Sequence, residues 1–274
     1  MLRSHFLTHL ATHAERQPDK ITLRCSNGGG GADDFDERSY AEFHARVLGV
    51  SATLRPLAAP GERALILMPS GEDFVVAFLA CLHAGIIAVP AYPPRRNRSR
   101  DRVLSIHDDA QPALIHTTAA AEKNVREALP ETRAQVVAVA GVIDPGSRVT
   151  DPAYNPLHNS ASIAFLQYTS GSTGAPKGTV ITHANLLANL DSLRALFQNQ
   201  PEHEIINWLP PYHDAGLYGV AHAVLQRHDR HVAGTGGVSP LARTLASGHR
   251  FAAGTRFLWC AELRIPPAGR ARDG

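Results

Sequence analysis

The run Ala64-Leu65-Ile66-Leu67-Met68 has five consecutive apolar side chains between Pro60-Gly61 and Pro69. Successive strand residues point to opposite faces, so a strand without alternation must be covered on both. That is the condition of a buried parallel strand with helices above and below it. The surrounding text repeats the pattern. Phe6, Leu7, Leu10, Ala11 and Ala14 share a helical face that Pro18-Asp19 ends, and Ile21-Thr22-Leu23-Arg24 reads as a strand before the turn Gly28–Gly31. Ser39-Tyr40-Ala41-Glu42 is a capping box opening a helix towards Leu54. Phe74, Phe78, Cys81 and Leu82 mark a helix that Gly85 can stop, and Ile86 to Val89 is the next strand. Helix over 97–109, strand over 113–115, helix over 119–129 and strand over 136–139 continue the series. A proline-broken stretch through Pro145, Pro152 and Pro156 follows. Strand alternating with helix defines an α/β fold with largely parallel sheets flanked by helices.

The stretch Tyr168-Thr169-Ser170-Gly171-Ser172-Thr173-Gly174-Ala175-Pro176-Lys177-Gly178 interrupts this pattern with four Ser/Thr hydroxyls, three glycines and one lysine. Ile163-Ala164-Phe165-Leu166 leads in, Val180-Ile181 leads out, and Thr182 can cap a helix carrying Leu186, Leu187, Leu190 and Leu193. Glycines let several main-chain N–H groups converge on one point, and hydroxyls and a lysine add donors that can follow a phosphate chain. The loop therefore reads as a triphosphate cradle. It is not a Walker A loop, which needs glycine directly before its lysine and Ser or Thr directly after; here Pro176 precedes Lys177 and Gly178 follows. A flexible Gly/Ser linker is the bland alternative. A lysine between two apolar runs, in a chain with only three lysines, argues against it.

Thr169 to Gly178 resembles the phosphate-binding loop of the adenylate-forming superfamily, which holds acyl-CoA synthetases, nonribosomal peptide adenylation domains and luciferases. Further text narrows the likeness to the fatty-acyl-AMP ligase branch: Ala84-Gly85-Ile86-Ile87-Ala88-Val89-Pro90-Ala91-Tyr92-Pro93-Pro94-Arg95, Thr182-His183-Ala184-Asn185-Leu186-Leu187, and Trp208-Leu209-Pro210-Pro211-Tyr212-His213-Asp214-Ala215-Gly216-Leu217. The resemblance runs over about residues 5–220 and makes them the N-terminal part of an AMP-binding domain, with 221–274 a divergent tail.

The resemblance implies a reaction. A fatty-acid carboxylate attacks the α-phosphorus of ATP, giving acyl-AMP and pyrophosphate, and the acyl group passes to an acyl carrier protein or polyketide synthase. Thr169, Ser170, Gly171, Ser172, Thr173, Gly174 and Lys177 would bind the ATP phosphates, and Mg2+ would bridge them. Tyr212, His213 and Asp214 would face the fatty acid, with His213 beside the carboxylate and α-phosphate, positioning charge without acting as a general base. Read without the resemblance, Tyr212-His213 is a strand end whose tyrosine walls an apolar channel, and one histidine among fifteen is more often structural. An acyl-CoA synthetase and a catalytically inactive remnant stand as alternatives.

Other clusters have plainer readings. Arg95 to Arg102 lacks interleaved aromatics, so it reads as a solvated helix start and not a nucleic-acid surface. His228-Asp229-Arg230-His231 has no companion ligands at metal-like spacing, and Gly234-Thr235-Gly236-Gly237 is not a dinucleotide fingerprint because Ser239 stands where glycine is needed. Both read as loop, and no metal site of the protein's own is expected. Cys25, Cys81 and Cys260 form no CxxC pair, which fits a reducing, cytoplasmic setting. No signal peptide or membrane-spanning run is expected from the text.

The charge is uneven. Residues 221–274 carry eight arginines against Asp229, Glu262 and Asp273, so 8 − 3 = +5, which leaves 2 − 5 = −3 for the rest. The family's later parts are a Thr-Glu segment contacting adenine and magnesium, a ribose-gripping aspartate and a C-terminal catalytic lysine. They find no match, and no lysine follows Lys177. A shifted reading frame or a truncated product is the expectation for 221–274.

Overall fold

The computed structural model describes residues 6–26, 35–94, 100–139, 161–169, 176–197, 204–207, 209–225, 230–233 and 256–257. The run at 64–68 lies at the centre of a six-stranded sheet. Its strands are β3 (Arg63–Leu67), β4 (Ile87–Ala91), β5 (Leu114–Thr118), β6 (Gln135–Val139), β7 (Ile163–Thr169) and β8 (Lys177–Thr182), in the order β6-β5-β3-β4-β7-β8. Every pairing is parallel except the hairpin β7–β8. A second sheet orders β11 (Arg256–Phe257), β9 (Glu204–Asn207), β10 (Arg230–Ala233), β1 (Ile21–Ser26) and β2 (Phe35–Ser39), and only β1–β2 is antiparallel.

Alternation along the strands separates two cores. Ala64, Ile66, Ala88, Leu114 and Phe165 face one cluster, shared with residues of α1 (Phe6–Arg16), α2 (Tyr40–Leu54), α3 (Glu72–Ala84), α6 (His183–Phe197) and α7 (Asp214–Leu225). Leu65, Leu67, Val89, Ala91, Ile115 and Tyr168 face the other, against α4 (Arg100–Ala110) and α5 (Ala119–Ala128). The reading of β3 as a strand covered on both faces is therefore what the structure shows.

The capping box is formed in both directions: Glu42 N–H donates to Ser39 Oγ, and Ser39 N–H donates to the Glu42 carboxylate. Such a cap stabilises a helix by about 1 kcal/mol. Gly85 ends α3 at φ +77, a left-handed conformation that glycine adopts without a Cβ penalty. Phe74, Phe78, Cys81 and Leu82 marked α3 as a helix, and in the fold every residue from Phe74 to Ala84 is buried. Arg46 pairs with both Glu72 and Asp73 at the first turn of α3. Thr182 ends β8 and caps α6, accepting from Asn185 N–H at 3.1 Å.

Some expectations change. Residues 211–213 form a turn, not a strand end: β9 stops at Asn207 and Asp214 opens α7. Arg230 and His231, read as loop, are the first residues of β10. Helix α4 begins at Arg100; Arg95 to Arg98, Gly28–Gly31, Pro145 to Pro156, His228, Asp229 and Gly234–Gly237 lie outside the described residues.

Candidate functional site

Strand β7 ends at Thr169 and β8 begins at Lys177, and these two residues are register partners across the hairpin. Both are exposed. Thr169 and Lys177 are thus the last paired residues of a β-hairpin whose two strands the glycine-rich segment joins in sequence. Ser170, Gly171, Ser172, Thr173 and Gly174 lie outside the described residues. Next to Thr169, Tyr168 Oη donates to Asp109 Oδ2 at 2.5 Å, joining the hairpin to α4. A Cβ on Gly178 would stand 2.9 Å from Tyr168 Cζ, so the ring lies flush against the glycine. Burial and the Asp109 carboxylate push the Tyr168 phenol well above 10.0.

The parallel partner of β7 is β4, with Ala88 opposite Phe165. Continuing that register brings Tyr92, one residue beyond β4, level with Thr169. The two therefore share the carboxyl edge of the parallel strands, where open α/β sheets place their ligands. Phe165, Gln167 and Thr169 alternate to the same face. On that face the Gln167 carboxamide donates to the Tyr212 carbonyl at 3.0 Å.

Tyr92, Tyr212 and His213 gather there. The Tyr92 and Tyr212 ring centroids are 3.9 Å apart. Tyr92 meets His213 edge-on at 5.3 Å, and its Oη lies 2.5 Å from His213 Nε2. Phe74 meets Tyr212 edge-on at 6.2 Å. His213 N–H donates to Pro210 O and Leu217 N–H donates to His213 O, so the turn is fixed on both sides. Asn207 holds it from below, donating to Gly216 O and accepting from Leu209 N–H. Tyr212 is buried, whereas His213 and Asp214 are exposed. Asp214 accepts from Ala215 N–H at 2.7 Å, at the start of α7. Behind Phe74, an apolar pocket between α3 and α7 is lined by Phe78, Leu217, Val220 and Val224.

The structure thus brings Tyr212 and His213 to the strand level that Thr169 occupies. Tyr92, Gln167 and Gly216 were not singled out from the sequence as site residues. Gln167 had a signal of its own, a carboxamide inside an otherwise apolar strand run. Tyr92 had none beyond its place in a Tyr-Pro-Pro sequence. Among the described residues, no group of three or more His, Cys, Asp or Glu gathers to hold a metal ion, and no helix is long and apolar enough to cross a membrane.

A two-sheet α/β scaffold with a glycine-rich hairpin and an aromatic-histidine turn at one strand edge is the architecture of an adenylate-forming enzyme. The family model described as "AMP-binding enzyme" matches residues 10–240, and the chain belongs to that family. It is 33% identical over 216 residues to the long-chain-fatty-acid–AMP ligase FadD26 of Mycobacterium tuberculosis, covering 76% of this chain and 37% of the relative. The relative fadD25 of the same organism, whose name carries fatty-acid–CoA ligase, is 34% identical over 218 residues, with the same coverage. Among solved structures, the fatty acyl-adenylate ligase from L. pneumophila in complex with acyl adenylate and pyrophosphate superposes with a TM-score of 0.71 at 29% identity. That match covers 84% of this chain and 39% of the other. The chain spans a little over a third of the length of these relatives.

Proposed function

We propose that the protein to which this chain contributes activates a fatty acid to acyl-AMP. The observation that carries the reading is the shared strand edge: Thr169 and Lys177 flank the glycine loop, and the Tyr92–Tyr212–His213 cluster sits level with Thr169. A carboxylate oxygen forms a bond to the α-phosphorus, and the α–β bridging P–O bond breaks with its electron pair leaving on pyrophosphate. Both reactants are anionic, so positioning and charge neutralisation dominate the catalysis. The loop donors and Lys177 hold the departing pyrophosphate. His213 aligns the carboxylate. The buried Tyr212 and the pocket at Phe74, Phe78 and Leu217 give an aliphatic chain an apolar wall.

In this reading Mg2+ enters with the nucleotide and would bridge its phosphates. The reading also places the protein in the cytoplasm and hands the acyl group to an acyl carrier protein or polyketide synthase. The test is ATP–pyrophosphate exchange stimulated by a long-chain fatty acid. Exchange that vanishes in Lys177→Ala supports the assignment, and exchange no greater than in that variant sinks it. The fadD25 match favours a second reading, an acyl-CoA synthetase. A thioester formed on adding CoA would select it.

A further inference from the structure

We infer that Tyr92 is a positioning residue for His213: its phenol donates to Nε2 and holds the imidazole as the Nδ1–H tautomer. The inference deepens, and rests on, the reading of His213 as the group that meets the anionic reactants.

The geometry supplies the first half of the argument. Tyr92 Oη lies 2.5 Å from Nε2, and the rings meet edge-on at 79°. A neutral imidazole has one donor nitrogen and one acceptor nitrogen, and the partner of one decides the state of the other. A phenol is a stronger acid than a neutral imidazole N–H, so the phenol is the donor, and it is a weaker acid than imidazolium, so the proton stays on Tyr92 and points at Nε2. The remaining proton is then on Nδ1.

Both partners are held. Tyr92 follows directly on β4, precedes Pro93-Pro94 and packs on Tyr212. His213 is fixed through its main chain to Pro210 and Leu217, and Gln167 fixes the neighbouring carbonyl. A hydroxyl anchored to the strand edge can therefore select the protonation pattern of a ring anchored to the helix start.

The chemistry supplies the second half. Carboxylate and phosphate oxygens only accept hydrogen bonds. A ring presenting a bare nitrogen to them would repel them, while Nδ1–H presents a donor. In water, neutral histidine favours the other tautomer, with its proton on Nε2, so removing the Tyr92 hydroxyl reverses the arrangement.

Nitrogen-15 histidine labelling of this chain tests it. Long-range proton–nitrogen spectra at about pH 8, where neutral imidazole dominates, are compared for the wild type and Tyr92→Phe. His213→Gln identifies the resonances. The expected wild-type pattern is an imine-type Nε2 and a pyrrole-type Nδ1, with Tyr92→Phe turning the majority to Nε2–H. The phenylalanine keeps the ring on Tyr212, so a merely structural role would leave the tautomer unchanged. An Nε2–H majority in the wild type, or one tautomer in both proteins, overturns the proposal. The wild-type spectrum alone decides the matter if the variant does not fold. Absent fatty-acid-stimulated exchange beside an intact tautomer reversal removes the adenylation reading and leaves the Tyr92–His213 coupling standing.

Discussion

The side chain of Gln167 in β7 donates to the main-chain carbonyl of Tyr212, across 45 residues of sequence, at 3.0 Å. The strand that leads into the glycine-rich segment and the histidine turn are therefore one unit. Gln167→Met keeps the volume and removes the donor, leaving a buried carbonyl without its partner. An unsatisfied buried group costs about 1–3 kcal/mol, but the exchange also removes the buried Gln167 Oε1, which has no hydrogen-bond partner among the described residues, so urea unfolding should show a loss at the lower end of that range. A midpoint within error of the wild type would mean the bond contributes nothing.

Gly216 lies in the first turn of α7, where alanine normally stabilises a helix by up to about 1 kcal/mol relative to glycine. Here the sign should reverse. A Cβ at this position would stand 2.1 Å from the Pro210 carbonyl oxygen and 2.8 Å from that of Leu209. Both are main-chain atoms in the turn carrying Tyr212 and His213, so only a shift of the turn relieves the clash. Gly216→Ala should destabilise by about 1–3 kcal/mol, read as a lowered thermal midpoint. A raised midpoint would show that the turn yields freely.

His116 in β5 is buried, with Nδ1 lacking a hydrogen-bond partner, and burial lowers it from 6.5 to about 4 against the opposing pull of Asp73. The unfolded chain takes up a proton near 6.5 while the folded chain does not. The stability from a neutral His116 is thus complete above 6.5 and lost as pH falls towards about 4. At 1.36 kcal/mol per unit this reaches about 3 kcal/mol. Burial lowers His9 and His44 in the same direction. Urea midpoints should fall across that window, and His116→Leu should flatten the slope; an unchanged slope would remove His116 as its source.

Burial pushes the thiols of Cys25 and Cys81 up from 9.0 to about 12, with Glu72 and Asp36 adding to the effect on Cys25. Their protonated forms stabilise the fold fully below 9.0, and the contribution is lost as pH rises through about 12. In a Cys260→Ser background, a thiol reagent at neutral pH should label the folded chain no faster than it unfolds. Rapid labelling of either cysteine would contradict its burial.

The local elements were legible because local physics fixes them. The five-residue apolar run gave β3 its two covered faces, the Ser39–Glu42 pair fixed the start of α2, and Gly85 fixed the end of α3. The Tyr212–His213 turn was misread as a strand end although Pro210-Pro211, which cannot donate to a ladder, marks where pairing stops. Asn207 decides that point, by hydrogen bonds to Leu209 and Gly216 that no periodicity encodes. Arg230-His231 was set aside as loop because its pairing partner, β9, lies more than twenty residues away in sequence.

By itself, then, the sequence determined the α/β class and the glycine–hydroxyl–lysine loop, since backbone freedom, capping and covered strands follow from neighbouring residues. Only the tertiary structure decided that Tyr92 meets His213 and that Gln167 meets the Tyr212 carbonyl. They come from the residue after β4, from β7 and from the turn before α7; sheet register aligns the first two, and helix packing brings the turn to the same edge. The Nε2 of His213 has its partner chosen 121 residues away in the chain. That choice is a matter of strand order and helix packing, which hydrophobic burial sets for the whole chain at once.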